Sequence, residues 1–276
     1  MKVGVITNSW GIQLQNNNLT ELVTRARNIG AKHVELRQTF LGELETGTDE
    51  KWRPVVKNFD SLANTFNDMS FNLAIAAPFL SGGLDPEGSI LQKSLEACIS
   101  VSGTNPHLRL VDLTPQKKIW KQHSDIPEGA FSIKELASVA SSQGITISIE
   151  NSGQPIRALH MLVEICRDSL PNNLGDFLGL CPDPANQIGK QTDMDPLEDL
   201  EKLPLDMLKI VHFKQIRNGT ILPAVEPGEL DCSDMIQILK SKQYAGPAIF
   251  EIPSTQNVFE NLSNSFDYIH DFDPKA

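Results

Sequence analysis

The chain has 276 residues, and its 24 basic against 35 acidic side chains give a formal charge of −11 at pH 7. With 40% hydrophobic and 21% charged residues, the composition is that of a folded globular protein and excludes a disordered chain. No apolar run reaches the roughly 18 residues needed to cross a bilayer, and the acidic excess argues against a nucleic-acid partner.

The first residues and the cysteines bear on the cellular compartment of the protein. Residues 1–7 are apolar over only a few positions, which is too short for a secretory signal. The four cysteines lie far apart and form no C-x-x-C pair, so we expect free thiols and no disulfide framework. These features predict a cytoplasmic protein that binds a small molecule.

Eight short apolar, β-branched runs alternate with helix-like segments along the whole chain. The predicted strands cover 3–7, 33–37, 73–77, 108–113, 145–150, 177–181, 208–214 and 248–252. The predicted helices cover 19–29, 52–68, 88–100, 133–143, 156–169, 197–203, 232–241 and 258–270. Because each parallel crossover needs a long connection, usually a helix, this alternation predicts a parallel sheet.

The number and spacing of these units favour a closed barrel. Eight units of about 34 residues fit an α/β fold of the (β/α)8 TIM-barrel type, as one domain over residues 1–276. The alternative is an open doubly wound sheet, which carries a glycine-rich phosphate turn after its first strand. Residues 7–11 read Thr-Asn-Ser-Trp-Gly and no G-x-G-x-x-G occurs, so the barrel is the better prediction.

The last four predicted strands end in polar side chains. In the run 145–150 the residues alternate, so that Ser148 and Glu150 share one face and the isoleucines share the other. The four strand-end side chains are Glu150, Asp183, His212 and Glu251. The carboxyl ends of barrel strands converge on one mouth, and three carboxylates brought together there repel one another unless a cation lies between them. The pattern therefore predicts a divalent metal, Mn²⁺ or Mg²⁺, with Co²⁺ or Zn²⁺ as alternatives.

Six short motifs are spread over the chain. They are GAKHVEL at 30–36, SIEN at 148–151, GLCPDPAN at 179–186, HFK at 212–214, PGELD at 227–231 and FE at 250–251. Together they resemble the xylose isomerase-like TIM-barrel superfamily, the sugar isomerases and epimerases that include D-tagatose 3-epimerase-like enzymes. The resemblance implies that Glu150, Asp183, His212 and Glu251 bind the metal, and that Glu150 and Glu251 are the catalytic acid/base pair.

The resemblance also implies an activity. It is that of a metal-dependent isomerase or epimerase of a sugar or sugar acid, which removes a proton beside a metal-bound carbonyl and passes through an enediolate. A homo-oligomer is implied in the same way. Two departures leave the substrate open: Asn186 stands where relatives often carry histidine, and residues 76–78 read Ala-Ala-Pro where many carry histidine.

Six side chains near the predicted mouth are candidates for binding a carbohydrate-like substrate. They are Asn186, Lys214, Arg217, Glu35, Arg37 and Trp10. Lys214 and Arg217 suit a hydroxyl or an oxyanion, although Arg217 suits a salt bridge at the rim equally well. Glu35 and Arg37 share a face, and they either pair with each other or contact the substrate. Trp10 offers an apolar wall for a sugar ring or packs in the core.

Three other functions remain open on the same scaffold. A lyase or hydrolase, such as a dehydratase of a cyclic hydroxy-ketone or a glycoside-cleaving enzyme, would use the same ligand set. An apurinic-site endonuclease is disfavoured, because its relatives use many histidines and this chain has six with a net charge of −11. A non-catalytic member of the fold would bind metal weakly or not at all.

Overall fold

The computed structural model describes residues 1–102, 105–116, 118–188 and 194–274, and within them eight parallel strands form a ring. The strands are β1 (Lys2–Ile6), β2 (His33–Arg37), β3 (Ser70–Ala76), β4 (His107–Val111), β5 (Thr146–Glu150), β6 (Leu178–Cys181), β7 (Val211–Phe213) and β8 (Pro247–Phe250). Neighbours in chain order pair from β1 to β6, and β8 pairs with both β1 and β7. One bridge, between Leu180 and Leu208, joins β6 to the segment before β7. The predicted (β/α)8 barrel is confirmed as a nearly closed ring.

Helices connect the strands around the outside of the ring. They are α1 (Leu19–Asn28), α2 (Val56–Thr65), α3 (Ser89–Ser102), α4 (Ser132–Ser141), α5 (Ile156–Asp168), α6 (Pro196–Lys202), α7 (Cys232–Ser241) and α8 (Val258–Phe272). Helix α2 starts four residues later than predicted, because Arg53–Pro54 pairs instead with Glu45–Thr46 in a short antiparallel ladder. None of the described helices is long and apolar enough to span a membrane. The four cysteines are buried and free, as predicted.

Local sequence signals account for the element boundaries. Helix α1 begins at a capping box in which Asn18 accepts the backbone N–H of Glu21 and the Glu21 side chain accepts that of Asn18. Gly30 and Gly144 have φ of 110° and 72°. This left-handed conformation suits glycine and lets the chain turn from α1 and α4 into the following strands.

The interior of the ring is divided into an apolar and a polar half. Side chains two residues before Asp183, His212 and Glu251 form a small apolar cluster with one from β1: Ile6, Cys181, Ile210 and Ile249. Strands β2 to β5 instead contribute buried polar side chains: His33, Glu35, Asn72, His107, Arg109 and Ser148. Their polar atoms are paired, since His33 Nε2 lies 2.7 Å from Asn72 Oδ1 and Asn72 Nδ2 donates to Glu35 at 2.8 Å. The branched aliphatic layers typical of this fold are thus replaced on one side by a hydrogen-bonded network.

The two histidines of this network predict that the protein loses stability in mild acid. Burial lowers the pKa of His33 to about 4 and that of His107 to about 3. Between pH 6.5 and 4 the unfolded chain therefore binds protons that the folded chain does not bind, so the free energy of unfolding falls as pH falls. Near pH 5 the two groups together should contribute a slope of about 2.5 kcal/mol per pH unit.

Urea unfolding at pH 7, 6 and 5 measures this slope. His107→Gln should remove about half of the contribution of the pair. A His107→Gln protein with the slope of the wild type would show that this histidine is not held neutral.

Candidate active site

The four strand-end side chains meet at the carboxyl end of the ring. Glu150, Asp183, His212 and Glu251 each offer one ligand atom, and these atoms all lie within 4.8 Å of one another. Among the residues that the structure describes, this is the one group of three or more acidic, histidine or cysteine side chains with such a geometry. The convergence predicted from the strand ends is present.

Hydrogen bonds at the end of β6 aim Asp183 at this cluster. The side chain of Asn151 donates to the Asp183 carbonyl oxygen at 2.9 Å and accepts the Asp183 N–H at 2.6 Å. Asp183 then caps the short 3-10 helix Pro184–Gln187, because its Oδ1 accepts the N–H of Asn186 at 3.2 Å. Its second oxygen, Oδ2, is left facing the cluster.

Glu35 orients His212 from below. The Nε2 atom of His212 lies 3.1 Å from Glu35 Oε1, where it donates to the carboxylate. Nδ1 faces the cluster, 3.4 Å from Oε2 of Glu251 and 3.9 Å from Oε1 of Glu150, and the nearby carboxylates hold the pKa of His212 above its usual value against the effect of burial. A carboxylate behind a histidine is a common way to fix the tautomer that binds a metal.

Arg109, in the middle of β4, joins Glu35 to Glu150. Its guanidinium lies 2.5 Å from Oε1 of Glu35 and 2.5 Å from Oε2 of Glu150, and all three side chains are buried. The charge of Arg109 holds the pKa of Glu35 far below its usual value, against the effect of burial. Burial raises the pKa of Glu150, and Arg109 only partly opposes that rise.

Lys214 and Asn8 hold the other end of the cluster. The Lys214 ammonium lies 2.7 Å from Asp183 Oδ2 and 2.7 Å from Glu251 Oε2, while Asn8 donates to Oε1 of Glu251 at 3.1 Å. Burial pushes the pKa of Glu251 upward, but Lys214 and His212 outweigh it and hold that pKa well below its usual value. Asn186 bridges the two ends, since it donates to Glu150 at 3.0 Å and accepts from Lys214 at 3.2 Å.

The unpaired atoms and the charges of the cluster suit a divalent cation. Asp183 Oδ2, His212 Nδ1 and Glu251 Oε2 are buried and have no partner with hydrogen-bond geometry, although the Lys214 ammonium is close to both oxygens. Four buried or nearly buried carboxylates, with Glu35 included, face two buried cations, Arg109 and Lys214. Three carboxylates and one imidazole brought this close together are a donor set that suits one divalent ion.

The other predicted substrate-binding residues lie in different surroundings. Trp10 is fully buried and stacks on Phe259 at 5.7 Å between ring centroids; this corrects its expected place at the substrate, because it has no exposed surface. Glu35 is also fully buried, so it supports His212 from beneath and does not reach a substrate. Arg217 lies at the exposed rim, donates to the Pro227 carbonyl oxygen and approaches Glu226 at 3.5 Å, which is the salt-bridge alternative.

Three residues that build the site were not predicted from the sequence. They are Asn8, Arg109 and Asn151, of which Asn151 belongs to the SIEN motif. Arg109 had a signal of its own, because an arginine inside the run Leu-Arg-Leu-Val of a strand buried on both faces needs a partner. Asn8 and Asn151 gave no such signal, since polar residues after a strand are ordinary loop residues.

Comparison with known proteins agrees with this fold. A family profile described as xylose isomerase-like TIM barrel matches residues 23–271, while no curated protein sequence matches the chain. A crystal structure of the IolI protein with a zinc atom superimposes with a TM-score of 0.69 at 17% identity, covering 99% of this chain and 98% of that one.

Two further structures of the same fold are those of a probable dehydratase and an epimerase. The probable 3-DHS dehydratase AsbF of Bacillus anthracis gives a TM-score of 0.68 at 15% identity, with 98% of each chain covered. The D-allulose 3-epimerase of a Methylomonas species gives 0.67 at 15% identity, covering 99% of this chain and 98% of that one. At such identities these likenesses show the fold.

Proposed function

The chain belongs to the xylose isomerase-like TIM-barrel family, and we propose that it is a divalent-metal-dependent isomerase or epimerase of a sugar or sugar acid. The observation that carries the proposal is the convergence of ligand atoms from Glu150, Asp183, His212 and Glu251, all within 4.8 Å of one another. A small carbohydrate-like molecule is the partner we propose, because the net charge of −11 disfavours a polyphosphate such as nucleic acid.

Three oxygen donors and one imidazole suit Mn²⁺ or Mg²⁺, with Co²⁺ or Zn²⁺ as alternatives. The zinc atom belongs to the IolI structure and is the reason to include Zn²⁺ in every metal titration. When bound, such a cation polarises a substrate carbonyl and makes the proton on the neighbouring carbon more acidic.

Glu150 and Glu251 are the groups that we propose to move this proton. They lie after or at the ends of β5 and β8, the outer two of the four strands that carry the ligand set. Glu150 is held by Arg109 and Asn186, and Glu251 is held by Asn8 and Lys214, so neither carboxylate depends on its neighbour for its position. One carboxylate takes the proton and the other returns a proton to the opposite face, which epimerises the carbon, or to the adjacent carbon, which exchanges aldose and ketose.

Solvent isotope exchange tests this function directly. Protein stripped with a chelator and reloaded with Mn²⁺ is incubated in D₂O with a panel of ketoses and keto sugar acids. The expected result is deuterium on the carbon beside the carbonyl, together with an epimer or an aldose, and no exchange in the stripped protein. Magnesium, cobalt and zinc are then compared at equal loading.

The same experiment separates the alternatives. Deuterium incorporation followed by loss of water identifies a dehydratase, and release of a second fragment identifies a cleaving enzyme. If elemental analysis finds no metal retained after loading and no panel member exchanges, the chain is a non-catalytic member of the family.

A further inference from the structure

Three of the basic side chains at or near the barrel mouth are matched by carboxylates. Arg109 lies between Glu35 and Glu150, and Lys214 lies between Asp183 and Glu251. Arg217 approaches Glu226 at the exposed rim. The cations closest to the ligand set are therefore already neutralised by the protein.

Arg37 differs from these cations. No carboxylate of the described residues lies within 4.0 Å of its guanidinium. Its Nη1 donates to the Gln38 carbonyl oxygen at 3.2 Å, and within the described chain this is its one side-chain hydrogen bond. The backbone N–H of Arg37 donates to Thr7 Oγ1 at 2.8 Å, which fixes the end of β2 against the end of β1.

The position of Arg37 on β2 places it in the mouth. It follows Glu35 by two residues, so its side chain is on the same face of the strand, and Glu35 points into the barrel to reach His212. Arg37 is therefore one layer nearer the opening than Glu35, and its side chain is only partly exposed. In the ring of eight strands, β2 lies opposite β6, after which Asp183 follows.

The pKa of Arg37 is lowered, which agrees with a guanidinium that has no anionic partner. Burial lowers its pKa to about 10, and the nearby Arg109 adds to this effect. Glu150, Glu251 and Glu35 act in the opposite direction but do not restore the usual value. An arginine fork fits a carboxylate or a phosphate with two parallel hydrogen bonds, so an anion placed here would supply the missing partner.

We propose that Arg37 binds an anionic group of the substrate, so that the enzyme acts on an acidic sugar, which carries either a carboxylate or a phosphate. Arg37 is on β2, which lies opposite the strand that precedes Asp183 in the ring, so the anionic group binds on the β2 side of the mouth, at a part of the substrate other than the reacting carbons. The inference rests on the proposed function, since it deepens the substrate class of the same site.

Binding measurements test the inference without requiring turnover. D-glucose, D-glucuronate and D-glucose 6-phosphate share a sugar frame and differ at the end remote from the carbonyl. Each is titrated by calorimetry into Mn²⁺-loaded wild type, Arg37→Gln and Arg27→Gln, the last being a matched change at a surface ion pair with Asp68. We expect at least one anionic sugar to bind wild type ten-fold or more tightly than glucose, and this preference to disappear in Arg37→Gln but persist in Arg27→Gln.

The outcomes are distinct. A preference for glucuronate assigns a carboxylate, and a preference for glucose 6-phosphate assigns a phosphate. Equal binding of all three sugars by wild type, or a preference that survives in Arg37→Gln, overturns the inference. A protein that shows the expected preference but exchanges no substrate proton would retain the anion site and lose the proposed function. With a substrate from the exchange panel, Arg37→Gln should raise KM by 10- to 100-fold for the acidic sugar and leave kcat less affected.

Discussion

Replacement of Arg109 by methionine is expected to lower the free energy of unfolding by about 3–5 kcal/mol. The guanidinium is the common partner of two buried carboxylates, Glu35 and Glu150, at 2.5 Å each. Methionine fills a similar volume but leaves both buried carboxylates without their cation. Much of the loss is the cost of an unpaired buried charge, so Glu35→Gln combined with Arg109→Met should recover part of it.

Arg27→Met is the matched control for this prediction. Arg27 pairs with Asp68 at 2.8 Å, but both side chains are about half exposed. Such surface pairs contribute about 0–1 kcal/mol, so the same substitution there should cost far less. Urea unfolding at pH 7, followed by circular dichroism, measures both variants. Equal losses for Arg109→Met and Arg27→Met would show that the buried triad does not stabilise the fold.

The order of strands and helices in the barrel could be predicted, because the hydrophobic periodicity and the glycines at the ends of helices indicate it. Each predicted strand is found, and the largest discrepancy at a helix start, in α2, comes from two residues that pair in a ladder rather than continue a helical pattern. The short hairpin formed by Ile216–Arg217 and Thr220–Ile221 was not predicted. Two-residue strands leave no measurable period, so sequence patterns do not reveal them.

The convergence of Glu150, Asp183, His212 and Glu251 could be predicted because the carboxyl ends of the strands of a barrel lie on one side. Strands of a parallel sheet are usually apolar on both faces, so polar residues at the ends of four consecutive strands indicate a site. The side chains that hold these residues in place, such as Arg109 and Glu35, could not be predicted in the same way. Arg109 meets Glu35 across 74 residues and Glu35 meets His212 across 177, and no local pattern states which side chains of two distant strands face each other.

Sequence position alone also does not decide whether the side chains of Trp10 and Arg37 face the barrel mouth. Both are placed after or at the end of a strand, where sequence position alone suggests the mouth. Trp10 turns outward onto Phe259, because a large aromatic ring gains more from packing than from water. Arg37 stays in the mouth with no carboxylate of the described chain against it, because the inward carboxylate below it is already taken by Arg109.

Glu150→Gln and Glu251→Gln are each expected to reduce turnover by about 10²–10⁴-fold, with the fold retained. Glutamine keeps the size and hydrogen-bonding capacity of the side chain but does not take up a proton. If the two carboxylates transfer protons on opposite faces of the substrate, each variant should lose proton exchange with the solvent from one epimer only. Starting from one epimer, the variant that lacks the accepting base should show no deuterium wash-in, while from the other epimer the same variant should still exchange.

Exchange from both epimers, measured by mass spectrometry in D₂O, therefore assigns each carboxylate to one face. Glu198→Gln is the matched control, because Glu198 is an exposed residue of α6 paired with Lys202. Metal content is measured for every variant, since Glu150 and Glu251 also belong to the proposed ligand set and loss of the cation would abolish exchange from both epimers alike. Full turnover in either variant with metal still bound would remove that carboxylate from the proton transfer, and another group in the mouth would then have to transfer the proton on that face.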